Sequence, residues 1–74
     1  MFSTFVKDGY VEIEKKKFQI RYFQSMTVRG SRRFRLEVNI GPGDMIIRDG
    51  DFVEGLEVWV VRHLPFVLYS RTLT

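Results

Sequence analysis

The sequence predicts an all-β fold: a small antiparallel barrel or sandwich, SH3-like or OB-like in size, with about five to six short strands. Three observations carry that expectation. Apolar and polar residues alternate along most of the chain, with no convincing helical period. The alternating runs are rich in β-branched and aromatic residues. Turn residues separate them.

Taken in order, Val11 and Ile13 alternate with Glu12 and Glu14, so odd-numbered residues face inward there. From Phe18 through Ile20 to Tyr22 the inward set is even-numbered. The phase must reset at Lys15-Lys16-Lys17, either through a bulge or bend in one long strand or through a hairpin. Gly30-Ser31 marks the next reversal. A two-residue loop would set Val28 and Met26 against Arg33 and Arg35, which puts apolar side chains on an arginine face. A three- or five-residue loop pairs Val28 with Phe34, Met26 with Leu36 and Tyr22 with Ile40, and burial favours that odd length.

Phe34, Leu36, Val38 and Ile40 form the next inward row. Gly41-Pro42-Gly43-Asp44 is a turn, expected to pair Ile40 with Met45 and Val38 with Ile47. Asp49-Gly50-Asp51 reads as a further tight turn, and Glu54-Gly55 as a bend or bulge. Residues 56–62 then read as a strand apolar on both faces, central in a sheet or at an interface. Pro65 ends it, and residues 66–71 make a last strand.

With 74 residues the chain is expected to be a single small β domain over 1–74. So small a domain buries only about 60% of its unfolded surface, and without cysteine it has no disulfide staple. Stability must come from a dense core, for which seven Phe, three Tyr and one Trp supply area, or from self-association. No run approaches the roughly 18 apolar residues of a membrane span, and the N-terminus lacks the pattern of a signal peptide. A cytoplasmic, non-membrane protein is the expectation.

Charge is the least generic feature. Residues 15–36 hold 8 of the 12 basic residues and no acid, whereas residues 37–57 carry a balance of −5. One reading is a nucleic-acid or other polyanion site formed by Lys17, Arg21, Arg29, Arg32, Arg33 and Arg35, with Phe23 as a base-stacking platform. The competing reading is that basic strands lie beside acidic ones and neutralise them as cross-strand pairs. A second candidate surface is the apolar set Trp59, Val61, Val67 and Tyr69, expected on the face opposite the core, where it serves a homo-oligomer or protein partner unless a barrel bend or the N-terminal strand (Phe2, Phe5) covers it.

Chemistry has little to work with. His63 is the single histidine and sits at a break, and no serine has a nucleophile's surroundings. Asp44, Asp49 and Asp51 lack the spacing of a calcium loop. The expectation is a non-enzymatic binding module with no catalytic residue, metal, cofactor or evident small-molecule substrate.

Overall fold

Alternation does build strands up to Gly50, and the computed structural model describes them within residues 3–26, 29–30 and 32–72. Strands β1 (Ser3–Ile13), β2 (Lys16–Met26), β3 (Arg32–Gly41) and β4 (Asp44–Gly50) form one antiparallel meander in the order β1-β2-β3-β4. Helices α1 (Val53–Arg62) and α2 (Leu64–Thr72) follow. The fold is therefore mostly β, but the sheet is open and not a barrel or sandwich. Its apolar face is covered by helices.

The inward parity holds through the first three strands. Val11 lies opposite Phe18, Ile20 opposite Val38, and Tyr22 opposite Leu36. Tyr22, Leu36, Val38 and Ile46 from the sheet pack with Leu56, Val60 and Leu64 from the helices into one buried cluster. Val11, Ile13, Phe18, Ile20, Phe34 and Ile40 extend it along the same face.

The phase reset at the lysines is a hairpin. Ile13 pairs with Lys16, leaving Glu14 and Lys15 as a two-residue loop with φ of 52° and 68°. That is the backbone of a primed turn, normally made by Asn-Gly, because its twist matches that of the strands. Here two ordinary side chains adopt it, each against a left-handed penalty of about 1–2 kcal/mol. The ladder's demand for an even loop outweighs the local cost.

Two registers differ from expectation. The last β2–β3 pair is Met26 with Arg32, so the connection has the expected odd length of five residues. Met26 does not meet Leu36, however, and Tyr22 faces Leu36 instead of Ile40. The proposed partner Val28 lies outside the described residues. The offset is even, so every inward side chain keeps its face. At the β3–β4 turn the offset is odd. Gly41 pairs with Asp44, and a bulge at Ile40 then places Val38 opposite Ile46 instead of Ile47. Ile46 is consequently 7% exposed and Ile47 53% exposed. The Gly41 N–H donates to Asn39 Oδ1 at 3.2 Å, which satisfies a backbone group at the irregularity.

The two strands read in residues 56–62 and 66–71 are helices. Val53, Leu56, Val60, Leu64 and Val67 recur at three- and four-residue spacing and form one stripe against the sheet. The valines mislead a local reading. Their helix penalty is at most about 0.7 kcal/mol each, whereas burying a Leu or Val side chain gains about 1.5–3 kcal/mol. Packing wins. Gly55 and Glu54 fall inside α1 rather than at a bend. His63 N–H closes α1 on the Trp59 carbonyl at 2.7 Å, and its own carbonyl accepts from Phe66 and Val67 at 3.1 Å to start α2. Pro65 sits in the first turn of α2, where its missing N–H costs nothing.

Gly50 permits this approach. A Cβ there would lie 3.0 Å from Leu56 Cδ2. Charged side chains seal the flanks of the covered face. Lys7, on edge strand β1, donates to Glu57 of α1 at 3.2 Å and lies 5.2 Å from the centre of the Tyr22 ring. Arg48, on the other edge strand, lies 5.2 Å from the Trp59 ring centre. Both keep an apolar stem against the core and a charged head at its rim.

Two outcomes follow from this packing. Replacing Glu14-Lys15 by Asn-Gly is expected to raise stability by about 1 kcal/mol in urea unfolding, because the left-handed strain is relieved. Burial, with a smaller contribution from Glu57, holds the Tyr22 phenol above its ordinary 10.0. A phenol that stays protonated longer in the folded chain contributes stability in full below the unfolded value near 10, and that contribution is lost as pH rises through the folded value. Tyr22→Phe should therefore flatten the alkaline limb of a melting-temperature profile, and an unchanged limb would refute this account.

Candidate nucleic-acid interface

Because side chains alternate, covering one face with helices leaves the other open. Lys17, Arg21, Phe23 and Ser25 of β2 point to that open face, as do Arg33, Arg35 and Glu37 of β3. The register aligns them. Phe23 is opposite Arg35, Ser25 opposite Arg33, and Arg21 opposite Glu37. From β1 the same face receives Phe5, Asp8, Tyr10 and Glu12, and from β4 Met45, Ile47 and Asp49. A bulge at Val6 restores Phe5 to this side, opposite Phe23. Their rings meet edge to face at 6.0 Å and 72°.

The rows across this face show how far the basic block is neutralised. Arg35 Nε donates to Asp49 Oδ1 at 3.0 Å, and this bond raises the guanidinium pKa above its ordinary value. Arg21 sits between Asp8 on one side and Glu37 on the other. Lys17 sits opposite Glu12. A basic residue opposite an acidic one is thus the pattern along this part of the face, and Arg35–Asp49 is the ion pair formed on it among the described residues.

It does not extend to the end where β2 and β3 are joined. Among the described residues, Arg29, Arg32 and Arg33 are exposed and have no carboxylate in ion-pair range. Arg32 and Arg33 point to opposite faces of β3, and Arg29 lies in the connection between the strands. The three give this end a positive potential that the sheet's middle lacks. The site residues expected from sequence therefore divide. Arg29, Arg32, Arg33, Arg35 and Phe23 gather at one end, with Phe5 as the member that alternation did not single out. Arg21 is one row further in. Lys17 is at the far end of β2, about 26 Å from Ser25 along the strand.

The second candidate surface also divides. Trp59 and Val67 pack against the core, whereas Val61 and Tyr69 are 75% and 61% exposed. The strand parity that grouped all four does not apply on helices. Val58 and Phe66 are exposed beside them, a fact visible only once the helical period is known. The N-terminal Phe5, considered as a cover for this set, lies on the opposite face of the sheet; Phe2 lies outside the described residues.

Asp44 accepts from Arg71 Nη1 through both oxygens at 3.0 Å, which ties α2 to the start of β4. His63 lies at the junction of the helices. A cleft between α2 and the β1–β2 turn is lined by Ile13, Phe18, Ile40, Leu68 and Tyr69 with Lys16 at its mouth. Among the described residues no cluster of His, Cys, Asp or Glu is placed to hold a metal ion, and no helix is long and apolar enough to cross a membrane. Comparison of the chain with family models, with curated proteins and with solved structures gave no match.

Proposed function

We propose that this chain is a small non-enzymatic binding module that takes nucleic acid, or another polyanion, at the Arg29–Arg32–Arg33 end of its open sheet face. One observation carries the reading: three exposed arginines without carboxylate partners among the described residues stand at the end of the sheet whose uncovered face carries an aromatic pair. Arginine forks suit phosphate, and their desolvation cost is low at an exposed tip. Arg35 belongs to the same footprint despite its bond to Asp49. That pair is half exposed on both sides, and exposed pairs contribute only about 0.2–1 kcal/mol, so a phosphate can compete for the guanidinium.

The reading has a measurable signature. Affinity for a mixed-sequence oligonucleotide should fall with salt on a slope of about −2 to −3 in log–log form, as for three phosphate contacts. Arg32→Glu with Arg33→Glu should abolish binding while the melting temperature is held, whereas Lys17→Glu should leave affinity nearly unchanged. Loss of affinity with Lys17→Glu equal to that of the arginine pair would place the footprint elsewhere.

A second reading is favoured by a different observation, the exposure of Val58 and Val61 on α1 and of Phe66 and Tyr69 on α2. Apolar side chains of this size at the surface suit a protein partner or a second copy of the chain. In sedimentation experiments, self-association would appear as a mass that rises with protein concentration, persists at high salt and is lost in Val61→Glu or Tyr69→Glu. A strict monomer at high concentration would refute self-association. Trp59→Glu is unsuited to the test, because it would place a charge against the core.

A further inference from the structure

Resting on the polyanion reading above, we infer that the ligand is single-stranded nucleic acid, held by phosphate contacts at Arg33 and Arg35 on the open face and at Arg29 in the adjoining connection, and by bases stacked on the Phe5–Phe23 pair. The shape of the open face favours a single strand. Four strands at about 4.8 Å spacing span about 14 Å between outer strand axes, before side chains are added. A major groove is about 12 Å wide and admits a helix or a two-stranded ribbon. The open face is therefore too broad to enter it. Nor does the β2–β3 ribbon reach far ahead of the sheet. β1 accompanies it to Ser25 and β4 to Phe34, so of the described ladder only the Met26–Arg32 pair stands beyond both flanking strands.

The second step is chemistry. In a duplex the base faces are stacked on one another, and an aromatic side chain on a flat sheet cannot reach them. In a single strand they are free, and every base has a face to stack. Phe5 is 53% exposed on the open face and Phe23 supports it edge to face. Arg33 is the diagonal neighbour of Phe23 across the β2–β3 ladder. Diagonal partners stand about 7–8 Å apart, within joint reach of a base and its phosphate. Tyr10, 72% exposed, lies two rows further along the same face of β1 and extends the aromatic track away from the basic end. The acidic residues Asp8, Glu37 and Asp49 border this track, so the backbone is drawn to the arginine end and the bases to the sheet's middle.

The test uses fluorescence anisotropy with the full chain and three labelled probes of one mixed sequence: single-stranded DNA, single-stranded RNA and the DNA duplex, each at low and near-physiological salt. Single strands are expected to bind at least about tenfold more tightly than the duplex. Phe5→Thr and Phe23→Leu should each lower single-strand affinity about tenfold, as expected for loss of a stacked base, and leave duplex affinity unchanged. Arg33→Glu should lower both. The ratio of DNA to RNA affinity assigns the source of the strand. Should Phe23→Leu unfold the chain, Phe5→Thr on the edge strand still decides, since Phe5 lies outside the core cluster. Equal affinity for duplex and single strand, or indifference to Phe5→Thr, would overturn the single-strand inference while leaving polyanion binding in place. No binding of any probe at low salt would instead overturn the polyanion reading itself.

Discussion

Burial of one sheet face under Leu56, Val60 and Leu64, with the other face left bare, is the constraint on which the remaining features of this molecule depend. It holds Tyr22, Leu36, Val38 and Ile46 inward and so forces their odd-numbered neighbours outward. The alignment of Phe23 with Arg35 and of Ser25 with Arg33 follows from that phase and from the β2–β3 register. Irregularities elsewhere serve the same end. The bulges at Val6 and Ile40 each return a strand to the phase that the covered face requires.

The helices sit on a small core, and its edges matter accordingly. Lys7 and Arg48 approach the helices from opposite edge strands, one beside Tyr22 and Glu57, the other over Trp59. Cation–π contacts at such partly exposed sites are worth about 0.5–1 kcal/mol, small beside the core but sufficient to orient α1. The inward charge of Lys7 and the Val6 bulge also blunt β1 as an edge for pairing with another chain. The Arg71–Asp44 contact holds α2 in a similar manner at the far end of the sheet.

Charge segregation along the chain turns into something quite different in space. A meander sets each strand beside its neighbour in reverse, so the basic run of β2 and β3 meets acids from β1 and β4 as well as Glu37 within β3. Within the basic block, the Arg35–Asp49 pair forms where β3 and β4 run side by side, whereas Arg29, Arg32 and Arg33 at the β2–β3 end have no carboxylate in ion-pair range among the described residues.

Local pattern alone determined the extended runs up to Gly50, the inward and outward sets of the first three strands, the odd length of the β2–β3 connection and the turn at Pro42, but it left open whether β1 and β2 were one bent strand or a hairpin. Period-two alternation encodes a face directly, and a glycine or proline encodes a reversal. The tertiary structure decided three other things. It made residues 53–72 helical, because the stripe through Leu56, Val60 and Leu64 needs a sheet to pack against before its burial can outweigh the strand preference of the valines. It chose the odd β3–β4 offset that buries Ile46 in place of Ile47, since a bulge at Ile40 leaves no clear mark in composition. And it decided that Arg35 is paired, because Asp49 stands well away in sequence and becomes its neighbour only when the ladder closes.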